Sequence, residues 1–257
     1  LELFSTNTLP RLTSVESLYL NGDKATDATT DFSGANQASV TSIELDTGDI
    51  ETGGNADHTL TFANGQSLTI DSVSGSGAAK GDDNYDIDTD SAATSFNLTL
   101  DGAGSTTAAD VLALDFTTAQ LATLNVTASG AASGVSIDNA GGALKTVNVS
   151  GDQNITLDFD TNATAITTLN AGTATGNVSS LFTNDTITAT GGSGDDSFDF
   201  VNNGALSTST ATVDGGDGND TVKTDTITDV DGTYSQITNV EALTINNQVT
   251  ASDTLAA

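Results

Sequence analysis

The chain has no cysteine, no methionine and no tryptophan, one histidine, one proline, and only 5 basic residues against 35 acidic ones. Each shortage excludes something. Without cysteine there is no disulfide framework, no zinc–thiolate site and no thiol nucleophile. The lone His58 has no second histidine with which to build a metal site or an acid–base pair. No apolar run approaches the ~20 residues of a membrane-spanning helix, so membrane insertion is not expected. The formal net charge of −30 repels phosphate backbones and anionic lipid, which argues against nucleic acid and membrane surfaces as partners. No methionine stands at position 1 and no signal peptide is legible in Leu1–Pro10, so the expectation is a segment of a longer, processed chain.

Apolar residues are also scarce. Leu, Ile, Val and Phe total 57 of 257 residues, close to the ~20% at which a highly charged chain stays unfolded. Their placement argues for folding. They recur in short alternating runs such as Leu18-Tyr19-Leu20, Ile43-Glu44-Leu45, Leu68-Thr69-Ile70, Leu98-Thr99-Leu100 and Val147-Asn148-Val149. Period two, with Thr and Asn between the apolar residues, predicts short strands with one buried face. Asp110-Val-Leu-Ala-Leu-Asp-Phe116 reads as a further strand in preference to a short helix. Most runs begin roughly 22 to 26 residues apart, the spacing of a repeat architecture. The clearest copies are Leu121-Ala-Thr-Leu-Asn-Val-Thr127, Leu144-Lys-Thr-Val-Asn-Val-Ser150 and Ile166-Thr-Thr-Leu-Asn-Ala-Gly172. Units this short bury an apolar face only by stacking. The expectation is an all-β parallel solenoid with little or no helix, one elongated domain over 1–257, with a candidate seam near 75–90.

Two nonapeptides carry the chemistry. Gly191-Gly192-Ser193-Gly194-Asp195-Asp196-Ser197-Phe198-Asp199 and Gly215-Gly216-Asp217-Gly218-Asn219-Asp220-Thr221-Val222-Lys223 both fit G-G-x-G-x-D-x-U-x, the calcium-binding β-helix repeat. Glycines allow a tight turn whose carbonyls converge, and the sixth-position Asp196 or Asp220 adds a carboxylate. Calcium takes six to eight such oxygens at ~2.3–2.6 Å. Asp195, Asp199, Asp217 and Asn219 supply further oxygen donors nearby. The motifs lie about one repeat apart, so they are expected to stack on one edge of the coil. Weaker copies occur around Asp82, Asp83 and Asp86, and at Asp101 ahead of Asp110. For these, an Asp/Gly turn that needs no metal is the preferred reading.

The nonapeptides resemble those of the RTX family of secreted calcium-binding proteins. The acidic, Thr/Asn/Gly-rich, cysteine-free remainder is similar to its surface-layer and adhesin members. Ser14-Val-Glu-Ser-Leu-Tyr-Leu20 and Asn239-Val-Glu-Ala-Leu-Thr-Ile245 look like the rung openings of such surface-layer proteins. The resemblance implies a right-handed parallel β-helix, type I export to the bacterial cell surface, and assembly in external calcium. The function expected is structural, with copies of the chain or neighbouring domains as partners in a lattice or filament. The alternative is an adhesin module that binds a glycan, such as a cell-surface polysaccharide, or ice.

Catalysis is not expected. The acidic pairs sit in Gly turns, aromatics are few, and no G-x-S-x-G elbow occurs. Asp57 and Thr59 flank His58, but neighbours on a strand face opposite ways. The acidic surplus also fits a protein kept dispersed in high salt.

Overall fold

The computed structural model describes residues 11–21, 28–46, 56–71, 83–106, 112–139, 141–159, 161–184, 186–207, 211–228 and 236–246. Successive strands alternate between two parallel sheets, each ten-stranded among these residues. The first sheet runs from Ser17–Asn21 to Ile237–Thr238, the second from Ala28–Asp31 to Ala242–Ile245. Each strand pairs with the one two places further along the chain, so the backbone winds as a β-solenoid. Helix among the described residues is confined to two 3-10 turns, Ala35–Gln37 and Thr161–Ala165. The 110–116 run contains the strand Leu112–Phe116. No helix among the described residues is long and apolar enough to cross a membrane.

Alternation in sequence becomes alternation between core and solvent. In the first sheet Ile43, Leu68, Leu98, Val126 and Val149 stand in register, one per strand, all buried. Phe96, Leu124, Val147, Leu169, Ala189 and Val213 form a second inward column. The second sheet answers with Leu112, Val135, Leu157, Phe198 and Val222. Fully burying each large aliphatic or Phe side chain contributes about 1.5–3 kcal/mol. Phenylalanine rings also pack in series: Phe32 stacks on Phe62 at 5.4 Å and Phe62 meets Phe96 tilted at 5.0 Å, then Phe159 stacks on Phe182 at 5.3 Å and Phe182 meets Phe200 tilted at 4.8 Å.

Outward columns are polar and equally regular. The three clear sequence copies lie directly over one another, which aligns Asn125, Asn148 and Asn170. Their amides form a ladder with Asn97: Asn125 Nδ2 donates to Asn97 Oδ1 and Asn148 Nδ2 to Asn125 Oδ1, each at 2.9 Å, and Asn170 Nδ2 to Asn148 Oδ1 at 3.4 Å. Elsewhere carboxylates stack. Asp46, Asp71 and Asp101 share one column of the first sheet, and Asp86, Asp115 and Asp138 one column of the second. Polar side chains close the corners. Gln66 Nε2 donates to the carbonyls of Phe32 and Val40 at 3.0 Å each, while Gln66 Oε1 accepts from Ala63 N at 2.7 Å. Residues 72–82, which include the first part of the candidate seam, lie outside the described residues. On either side of them Ser67–Asp71 pairs with Ser95–Asp101, and Ala56–Phe62 with Asp83–Thr89.

Candidate metal centre

The two nonapeptides occupy one edge of the solenoid, where the chain passes from the first sheet to the second. Gly191–Asp196 follows the strand Thr188–Thr190 and leads into Ser197–Ser207; Gly215–Asp220 follows Thr212–Asp214 and leads into Thr221–Thr228. Ser197 pairs with Thr221 and Phe198 with Val222, so the turns stand one directly over the other. The eighth-position Phe198 and Val222 are both buried, as the motif requires.

Two hydrogen-bond ladders run through this edge in opposite senses. In one, a side chain accepts from the backbone of the following coil: Asn177 N donates to Asn154 Oδ1 at 2.9 Å, Asp195 N to Asn177 Oδ1 at 3.0 Å, and Asn219 N to Asp195 Oδ1 at 2.9 Å. In the other, a side chain accepts from the preceding coil: Val178 N donates to Asp196 Oδ1, Asp196 N to Asp220 Oδ1, and Asp220 N to Glu241 Oε2, each at 2.7 Å. The second ladder occupies a register position held by Ile155 and Val178 in earlier coils. An apolar inward column thus becomes acidic.

Asp196 and Asp220 are 2% and 0% exposed. Burial pushes both carboxyls above the usual carboxylate range. At Asp196 the N–H groups of Val178 and Gly192 offset part of that rise, and the Asp195 charge adds to it. At Asp220 the Asp196 N–H offsets part, and the charges of Asp196, Glu241 and Asp195 add to it.

The turns share a motif but not a conformation. Gly192 N donates to Asp196 Oδ2 at 2.7 Å, so both oxygens of Asp196 accept backbone N–H groups. In the second turn Gly216 and Gly218 take left-handed φ values of +97° and +137°. Asp220 Oδ2 there is buried with no hydrogen-bond partner. The first glycine of each turn marks where oxygens converge. A methyl at Gly191 would collide with the Gly215 carbonyl and lie 2.5 Å from Asp196 Oδ2; one at Gly215 would collide with the Asn239 carbonyl and lie 2.5 Å from Asp220 Oδ2.

Other expected site residues are distributed unevenly. Asp195 stays exposed and accepts from Asn219 Nδ2 at 3.3 Å besides its N–H. Ser193 N donates to the Ala174 carbonyl at 3.1 Å and Asp217 N to the Gly192 carbonyl at 2.9 Å, which knits the turns to earlier coils. Gly194 is buried against Gly176 and Asn177. Asp199 lies beyond the turn on its strand, 3.9 Å from Lys223 Nζ across the sheet. Asp101 belongs to the same edge of the solenoid but accepts from Ala131 N at 2.8 Å. Asp83 opens the strand Asp83–Thr89, and Asp86 stands in the outward acidic column of that sheet, away from the turns. Asp82 and Asp110 lie outside the described residues. Among the described residues no three Asp, Glu or His side chains converge as a metal-binding group. The donors that do converge are carbonyls plus one carboxylate per turn. An oxygen-only set with a buried carboxylate oxygen to spare fits a hard cation such as calcium.

Glu241 does not stand out in the sequence as a site residue. Its turn, Asn239-Val240-Glu241, has no glycine and resembles the nonapeptides only in position. The signal for it is the recurrence of Val-Glu-x-Leu at Val15–Leu18 and Val240–Leu243; Ser14 and Asn239, just ahead, share positive φ values of 61° and 51°. No protein-family model matches the chain, and neither a curated protein nor a solved structure shows significant similarity to it.

Proposed function

We propose that this chain is a calcium-stabilised structural segment of an extracellular, surface-layer-type bacterial protein of RTX character, assembling with its own copies or with neighbouring domains into a lattice or filament. The observation that supports this reading is the stacked edge itself, where two perfect nonapeptides lie in register and hold a buried carboxylate oxygen without a partner. Cation binding compensates that oxygen and the stacked charge around it. Binding to the folded state alone adds folding free energy, about 2.7 kcal/mol at a hundredfold excess over Kd. For a chain of this size that corresponds to a rise in Tm of roughly 5–10 °C. Thermal melts of the metal-stripped chain with and without millimolar calcium test this, and identical curves refute it. Sedimentation velocity then addresses assembly: a lattice or filament subunit gains mass with concentration in calcium.

A second reading, an adhesin module, is favoured by one feature of the outer face. Thr123, Thr146 and Thr168, then Asn97, Asn125, Asn148 and Asn170, then Thr99, Thr127 and Ser150 form adjoining columns that carry no charge on a chain of −30. A neutral, hydroxyl- and amide-lined sheet suits an uncharged polysaccharide. An adhesin stays monomeric in calcium and co-pellets with insoluble polysaccharide.

A further inference from the structure

We infer that the Asn239–Glu241 turn completes a cation site on Asp220, and that this position, not the one between the two nonapeptides, is filled first. The inference rests on the calcium reading above and goes beyond it, because the turn that closes the site is not a nonapeptide.

The two positions share one pair of close approaches and differ in whether the carboxylate oxygen already has a partner. In each, the first glycine of a turn lies against a carbonyl from the next coil and the second carboxylate oxygen of its own turn's aspartate. Between the nonapeptides those groups are the Gly215 carbonyl and Asp196 Oδ2; between the second nonapeptide and the last described turn they are the Asn239 carbonyl and Asp220 Oδ2. Asp196 Oδ2 is already satisfied by Gly192 N at 2.7 Å. A cation there would share an oxygen whose charge a backbone N–H already partly neutralises. Asp220 Oδ2 has no partner, and its residue is 0% exposed. A buried carboxylate oxygen without a donor is costly, and a cation relieves that cost without displacing anything.

Glu241 supplies the second negative charge. Its Oε2 accepts from Asp220 N at 2.7 Å, which places the Glu241 carboxylate beside the Asp220 backbone. Asn239 Nδ2 donates to Asp214 Oδ1 at 2.7 Å and ties the turn to the preceding coil. One carbonyl and two carboxylates are fewer than the six to eight oxygens calcium takes, and Glu241 is exposed, so water completes the shell.

The test is calorimetric titration of calcium chloride into the metal-stripped chain, its Glu241→Gln variant and a Glu16→Gln control. Gln keeps an oxygen that can accept from Asp220 N but removes the charge. The expected result is that Glu241→Gln weakens the tightest binding event by about tenfold or more, while Glu16→Gln leaves it unchanged. Melting in excess chelator serves as the second measurement: Glu241→Gln should melt no lower than the parent there, since it removes a like charge beside Asp220, and gain less from added calcium. Wild-type affinity in Glu241→Gln, with calcium still raising Tm equally in both, overturns the inference and leaves the calcium reading standing. No calcium uptake by the parent chain sinks both.

Discussion

Ser180 occupies a column that otherwise belongs to hydrocarbon. It stands in register between Leu157 and Phe198, is 1% exposed, and its hydroxyl has no hydrogen-bond partner. Removing an unsatisfied buried hydroxyl should stabilise, so Ser180→Ala is expected to raise stability by up to about 1 kcal/mol, read from denaturant melts. Asp196 and Asp220 also work against the fold once they ionise. Burial raises both carboxyls in the folded state, so the native chain holds protons more tightly than the unfolded one, whose aspartates titrate near ~3.9. Their contribution is therefore full below that value and is lost as pH rises through the raised folded-state range. The groups facing them are each other, Asp195 and Glu241, all acidic. The metal-stripped chain should accordingly lose stability from this edge as pH rises above the ordinary aspartate range, and Asp220→Asn should flatten that slope in melts taken across pH. A slope unchanged by the substitution would place the pH dependence elsewhere. Neither effect is legible in the sequence. Val178-Ser179-Ser180-Leu181 does not announce which serine points inward, and two perfect copies of one motif give no hint that Gly192 and Gly216 adopt different φ.

At the scale of the strand and corner, much more is readable. Leu98-Thr99-Leu100 alternates because one face packs and the other meets water, and the strand Ser95–Asp101 does both. The Leu121, Leu144 and Ile166 copies predict stacking, and their asparagines hydrogen-bond in the order that stacking requires. The assignment of each run to one of two sheets is not readable, since period two is the same in both. Corners are also opaque: Gln66 looks like an ordinary turn residue, yet it satisfies two buried carbonyls and one N–H. Gln66→Ala strands all three groups and should cost about 2–3 kcal/mol, measured by denaturant melts, whereas exposed Gln120→Ala should cost almost nothing.

Across the whole molecule, like charges are held at strand spacing and work against the fold. Asp46, Asp71 and Asp101 repeat at about 4.8 Å, as do Asp86, Asp115 and Asp138. Aligned carboxylates repel, and mobile ions screen them. Sodium chloride from about 0.01 to 1 M, which shortens the Debye length from ~30 to ~3 Å, should raise Tm steadily with no saturable step. Calcium should add a saturable rise on top of it at constant ionic strength. A calcium effect matched by sodium at equal ionic strength would reduce the whole phenomenon to screening. The column that passes from Ile155 and Val178 to Asp196, Asp220 and Glu241 makes the solenoid unequal along its length. At this position the coils of Ile155 and Val178 are held by packed hydrocarbon, and those of Asp196, Asp220 and Glu241 in proportion to the calcium outside. Stretched between its ends in calcium-poor water, the coil should peel from the Glu241 side first, a mechanical fuse set by the surroundings.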